Sequence, residues 1–435
     1  MKLTGYVLLL SLWIPLTGGA DPSNNRQQLI ATGQCAACDL RDADLAGERL
    51  MGVDLRNADL RGANLRGAIL YEARLSGADL RGAGIEGASM ARADMSNADL
   101  TGVDLHNARL HGVNLGGARL SGASLAGANL TAAILDGADL TGTDLRMARL
   151  QRASFKAARM NDARFDKADL RACDLSSVIE LAQATFEGAD LRRAVMQGQD
   201  LTGINLADAR LAKAVLAGSR LHGARLVRAD LTAADLRNAD LEGADLGEAN
   251  MQYARLQGAV LAGARLERVR FSGNLARVDF SRANLRNADF SNTNLGGAVF
   301  RGADMRRVNL GKTNLNGADL SGADLRQANL HNARRKDANF EGADLQGAVL
   351  TQTAAKTADE GQLEDQLDTR RRSWAAMLTE IEAAALAGRS QSPEGSGIPP
   401  EMMFDGPKPS GDVPMTFDPR LLPLLTPEYM EEIED

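Results

Sequence analysis

Few side chains in this 435-residue chain are of types that do chemistry. Cys35-Ala-Ala-Cys38 has the spacing of a redox or metal motif, which needs a βαβ setting or a second cysteine pair to act as one. Neither accompanies it here. The remaining cysteine, Cys173, stands far along the chain from the pair. The histidines are His106, His111, His222 and His331, and a metal site would require several donors of this kind to converge. Each histidine instead follows a large apolar residue in a slot expected to face solvent, so each reads as an exposed polar corner. The sequence has no Ser/His/Asp set, phosphate loop or paired-carboxylate cleft. It also lacks the glycine-rich nonapeptides that bind calcium in other solenoids. The expectation is a non-enzymatic protein with no metal and no cofactor.

What must position these residues is a five-residue repeat. Residues 58–67 read ADLRGANLRG. Large apolar centres fall on every fifth residue from Leu40 to Leu175, then from Leu181 to Phe271, then from Leu275 to Leu350. One residue is gained near Ser177 and one is lost near Gly273. A five-residue period fits neither a helix nor a simple strand; short segments must turn, and the turns must stack. The centre and the alanine two residues before it are expected to point inward. The residue between them, and those after the centre, face outward or form the turn. All eight phenylalanines of the repeat are centres, among them Phe165, Phe186, Phe280 and Phe300, so rows of stacked rings are expected inside. No proline lies between residues 23 and 392, as a chain full of ladder donors requires.

This pattern resembles the pentapeptide-repeat family, A(D/N)LXX. The resemblance implies an all-β solenoid, a right-handed quadrilateral β-helix of about 16 coils over residues 35–352, with four repeats per coil. Cys35 then falls at a centre and Cys38 at an alanine slot, both in the first coil. Two readings stay open for them: small packing residues, or a possible disulfide that staples the open end in an exported protein. Catalysis or metal binding comes last. Cys173 occupies an alanine slot and reads as packing. Glu48 and Gln199 in alanine slots, and Arg335 at a centre, break the pattern. Local bulges that turn these side chains outward are expected. The gained and lost residues are expected to bend the rod or shift a face.

The two ends read differently. Residues 1–20 have a positive start at Lys2, a short apolar run and small residues Gly18 and Ala20, which is a secretory signal cut after Ala20. Residues 21–34 form a leader, with one or two helical turns over Arg26 to Thr32. Residues 359–388 carry an apolar stripe at helical spacing, Leu363, Leu367, Trp374, Met377, Leu378 and Ile381, and read as an amphipathic helix. It would cap the open coil or pair two copies as a homodimer. Residues 389–435 read as a disordered linker and an acidic tail with a short terminal helix.

Charge narrows the function. The chain carries −7 overall, of which residues 351–435 contribute 7 basic and 17 acidic side chains. The repeat region is therefore close to neutral. The resemblance brings with it the family's activity as a DNA mimic that protects a topoisomerase, which needs dense charge of one sign. Here 24 aspartates and 14 arginines share the slot before the centre, and a signal sequence directs the chain away from a cytoplasmic target. Nucleic-acid binding is not expected, because the rod is not basic and has no rows of outward aromatics. The expected role is an exported, periplasmic or secreted scaffold for an unknown protein or envelope partner. No stable membrane span remains after cleavage.

Overall fold

The computed structural model describes residues 22–350. The signal sequence at 1–20 and the readings for 359–388 and 389–435 lie outside the described residues.

Each repeat builds one side of a coil. Every fifth residue bridges in parallel to the residue 20 further on, as in Asp39↔Asp59, Asp44↔Asn64, Arg49↔Ile69 and Asp54↔Arg74. A coil is thus 20 residues with four sides, and each coil lies in register on the last. At every corner the chain turns tightly. Leu40 O accepts from Ala43 N at 3.1 Å, and Asp42 between them has φ 55°. A positive φ at the third turn residue is the type II signature, and it explains the frequent glycine at that slot.

The Asp/Asn preference also has a local cause. Asp39 Oδ1 accepts the Arg41 backbone N–H at 3.1 Å, and Asn114 Oδ1 accepts that of Gly116 at 3.0 Å. A short side-chain acceptor therefore satisfies an amide at the corner. This role is separate from any surface function.

The interior is filled. Ala78, Leu80, Ala98 and Leu100 are fully buried, and the same pair of slots is buried coil after coil. A small and a large side chain per side fill a narrow square section at native density. Phe165 stacks on Phe186 at 4.9 Å and Phe280 on Phe300 at 5.1 Å. Phe271 and Phe290 add a third stacked pair at 4.5 Å, and Phe290 also meets Phe280 and Phe300 edge-on. Polar residues in the small slot satisfy themselves: Thr143 donates to Leu120 O and Thr293 to Phe290 O.

The N-terminal end is closed by α1, Pro22–Thr32, longer than the one or two turns expected. Leu29 is buried against the first coils. Asn25 Nδ2 donates to Asp39 O at 2.9 Å, and Arg26 Nε to Asp44 O at 2.6 Å. The helix therefore covers apolar surface and edge carbonyls that an open coil would expose. Gly33, at φ 69°, ends it with a bond to Leu29 O.

The expected bulges do not form at Glu48 and Gln199. Ile69 N still bonds to Glu48 O, and Arg220 N to Gln199 O, each at 2.9 Å. The side chains find partners instead: Glu48 pairs with Arg26 of α1 at 3.0 Å, and Gln199 with the Ser176 carbonyl. Arg335, in the last coils, is half-buried and reaches Leu350 O at 3.5 Å. The gained residue is taken up in one corner, where Glu180 is left-handed and Leu181–Gln183 make a 3₁₀ turn. The bridge offset becomes 21 at Asp169↔Asp190 and returns to 20 at Asp190↔Arg210. Near Gly273 it becomes 19, between Arg265 and Asn284. At that point β1, Asn250–Met251, pairs in parallel with β2, Arg270–Phe271. Three of the four columns bridge across each irregularity, while the bridge is interrupted from Ile179 to Asp200 and from Arg255 to Asn274; bridging resumes at Asp200↔Arg220 and Asn274↔Asn294.

Candidate functional site

Apart from Cys35 and Cys38, the cysteines and histidines singled out in the sequence do not come together. Cys35 and Cys38 sit in the first coil beneath α1, with Cα atoms 5.3 Å apart and sulfurs at bonding distance. Cys35 Sγ also lies 3.4 Å from Asn25 O of the helix. Cys173 is buried far along the rod, and its thiol is 3.0 Å from Leu150 O. Burial pushes that thiol up to about 12, so it is inert as a nucleophile at neutral pH.

The histidines follow their slots outward. His106 Nδ1 is 2.9 Å from Asp104 Oδ1. The backbone of His331 donates to Asn329 Oδ1 at 3.0 Å. His222 differs from the others. Asp240 and Glu242 stand beside it, and the nitrogen and carboxylate donor atoms of the three lie within 4.8 Å of one another. A sequence reading that looked one repeat away, not one coil away, could not see this group. The signal is the 20-residue offset from His222 to Glu242.

The dominant surface feature is an ion-paired ladder. Where a repeat reads Asp-Leu-Arg, the arginine folds back over the leucine and grips its own aspartate with both forks. Arg56 Nε meets Asp54 Oδ1 at 2.8 Å and Arg56 Nη2 meets Asp54 Oδ2 at 2.6 Å. The same bidentate pairing joins Arg41 to Asp39, Arg61 to Asp59 and Arg81 to Asp79. Each arginine also reaches the next coil: Arg41–Asp59 and Arg61–Asp79 are 3.6 Å apart, and Arg81–Asp99 3.7 Å. Asp39, Asp59, Asp79 and Asp99 thus form a column whose charge is met by arginines along its length. A second such run joins Arg286, Asp304, Arg306, Asp324, Arg326 and Asp344. Its arginines, with Asn287, Arg307 and Gln327, line a surface groove of about 380 Å³.

Pairing sets the charge state of the ladder. The Arg41 side chain and backbone N–H hold the Asp39 carboxyl down at about 2. The Arg56 guanidinium does the same for Asp54, also at about 2. Hydrogen bonds to the ionised form outweigh desolvation in both cases. Bidentate geometry gives these pairs more weight than single surface contacts, which contribute little each. Aspartates and arginines in the slot before the centre can also pair between equal slots of neighbouring coils. Such pairs exist, as in Arg210–Asp190 at 3.2 Å, but the grip within one repeat is the shorter and more regular contact.

Comparison with known proteins agrees with this architecture. The profile described as Pentapeptide repeats matches eight stretches between residues 34 and 273, and the Pentapeptide repeat region profile matches 273–350. The chain belongs to the pentapeptide-repeat family, whose solenoid is a right-handed β-helix. Sequence comparison with curated proteins finds no match. Among solved structures it is similar to HetL, a pentapeptide repeat protein involved in heterocyst differentiation regulation from the cyanobacterium Nostoc sp. strain PCC 7120. Identity there is 30%, covering 53% of this chain and 90% of HetL, with a TM-score of 0.23. Full-length QnrB1, a plasmid-mediated fluoroquinolone resistance protein, is 16% identical over 56% of this chain and 96% of its own, with a TM-score of 0.15.

Proposed function

We propose that this chain is a non-enzymatic, exported scaffold: a rod of about 16 coils that presents flat, ion-paired faces to a protein or envelope partner. The observation that carries the reading is the Asp–Arg ladder. Its donors and acceptors stand at fixed spacing on a rigid face, with opposite charges alternating at short range. Such a face suits a partner of matching mixed charge, recognised by complementarity and not by bulk attraction. Membership of the family supports an interaction role. Export rests on residues 1–20, and the Cys35–Cys38 bridge fits an oxidising compartment. Among the described residues no helix is long and apolar enough to cross a membrane.

The second reading is a DNA-like topoisomerase ligand, and QnrB1's description as a fluoroquinolone resistance protein keeps it in view. The ladder speaks against it. A phosphate rail is uncompensated charge, whereas Asp39, Asp59 and Asp79 are each gripped by an arginine. The deciding experiment is cell fractionation with mass determination of the mature N-terminus. A protein starting at Asp21 in the periplasm or medium supports the scaffold. An intact cytoplasmic protein that alters DNA supercoiling by a topoisomerase would replace it with the second reading.

A further inference from the structure

His222 and Glu242 are the first residues after the centres Leu221 and Leu241, so they occupy the same position on adjacent coils. Asp240 stands on the other side of Leu241. Among the described residues this is the one place where three such side chains bring their donor atoms within 4.8 Å of one another. Position explains why they are left together. Arg220 bridges to both Asp200 and Asp240 in one column. Its guanidinium turns to Asp200, 2.7 Å from Oδ2, and leaves Asp240 behind. The corresponding slots in the flanking coils hold Thr202 and Ala262, so no arginine or lysine enters the column there. Among the described residues neither Asp240 nor Glu242 forms an ion pair, unlike the gripped aspartates of the ladders. The backbone N–H of Glu242 donates to Asp240 Oδ1 at 3.0 Å and fixes how that carboxylate lies.

We propose that His222, Asp240 and Glu242 bind one divalent transition-metal ion of the zinc class on the surface of the rod. One imidazole nitrogen and two carboxylate oxygens are a donor set that zinc accepts, whereas calcium and magnesium prefer oxygen alone. Ligand atoms about 2.0–2.2 Å from zinc stand roughly 3–3.5 Å from one another. Small side-chain rotations bring the three from within 4.8 Å to that spacing, and two of them, His222 and Glu242, are exposed and free to rotate. Three protein ligands leave a further position for water or for a donor from a partner. The stacked coils hold the Cα positions fixed, so the site is preorganised to the extent that its backbone allows.

The test uses the full-length chain without an affinity tag, stripped with a chelator and titrated with zinc chloride by calorimetry. About one zinc per chain is expected, with affinity in the micromolar range. Only four imidazoles are present, so proton NMR should show one of them shifting on titration, and His222→Gln should remove that signal. His222→Gln and Glu242→Gln should each weaken binding at least tenfold, while His106→Gln leaves it unchanged. These positions face solvent, and unchanged melting curves will show that the variants fold. Zinc binding weaker than about 1 mM overturns the proposal. So does a His222→Gln variant that binds like the parent, or an equal loss on His106→Gln.

Discussion

The amide nitrogen of Gln199 donates a 2.7 Å hydrogen bond to the carbonyl of Ser176, one coil away. Ser176 lies where the extra residue enters and the corner is rebuilt as a 3₁₀ turn. In regular coils the equivalent carbonyl accepts from the corner residue of the coil before, as Arg61 O does from Asp42 N at 3.0 Å. The exception to the repeat at Gln199 therefore serves the exception at the insertion. Gln199→Ala restores the repeat consensus, yet it should lower stability by about 1–2 kcal/mol, because a half-buried carbonyl loses its donor. A melting temperature equal to the parent's would show that this bond contributes nothing.

Phe290, like Phe280, meets three other rings of the core. It stacks on Phe271 at 4.5 Å and meets Phe280 and Phe300 edge-on at 5.6 and 6.0 Å. Phe290→Ala should cost roughly 3–5 kcal/mol, since the filled section has nothing to collapse into the space. Leu140→Asp, at a fully buried centre, should be at least as damaging because it leaves a carboxylate without a partner. Thermal unfolding followed by circular dichroism checks both; a loss below about 1 kcal/mol at either position would remove it from the load carried by the interior.

Much of this was legible before the structure, and the reason is the repeat itself. A strict period fixes which side chains point inward, so Leu140, Cys173 and the stacked pairs Phe165–Phe186 and Phe280–Phe300 could be placed by counting. Contacts that depend on rotamers could not. Arg56 gripping Asp54 across Leu55 is a side-chain conformation, and a pattern of letters does not specify it. The closure by α1 was missed because its apolar content is slight, and among its described side chains Leu29 is the one that is buried. His222 and Glu242 were separable from the other polar corners only by counting a whole coil, 20 residues, along the chain.

The ladder predicts how the rod responds to acid. Asp39 and Asp54 titrate at about 2 when folded, against an ordinary aspartate value of 3.8. A carboxylate lowered by folding adds stability that is present above its unfolded value and is lost as pH falls through its folded value. The melting temperature should therefore hold down to pH about 4 and drop between about 4 and 2. Arg56→Gln removes the grip on the buried Asp54, so it should lower the melting temperature near neutral pH and make the drop between about 4 and 2 smaller. A flat melting profile down to pH about 2 would contradict the assignment.

Cys173 and the Cys35–Cys38 pair should separate cleanly in labelling. The Cys173 thiol is buried and raised to about 12, so iodoacetamide at pH about 8 should leave it unmodified in the folded protein and label it fully in denaturant. The pair should be labelled only after reduction. Intact-mass spectrometry reads both. Rapid labelling of Cys173 in the folded chain would mean that the middle of the rod opens locally.

Asn57 and Gly77 are corner residues of adjacent coils, and the side-chain oxygen of Asn57 occupies the space that a Cβ on Gly77 would need. Gly67, a corner residue above another glycine, has no atom within 4 Å of its would-be Cβ. Both glycines are left-handed, at φ 71° and 66°, so alanine at either should cost roughly 1–2 kcal/mol from backbone strain alone. Gly77→Ala should cost about 1–3 kcal/mol more, because the overlap must be relieved by moving Asn57. Asn57→Gly clears that space and suits the left-handed corner, so the double variant Asn57→Gly/Gly77→Ala should recover to the level of Gly67→Ala. The two changes would then be strongly non-additive, by about the size of the overlap. Additive losses in a double-mutant cycle would show that neighbouring corners do not constrain each other, and that glycine is used here for its backbone freedom alone.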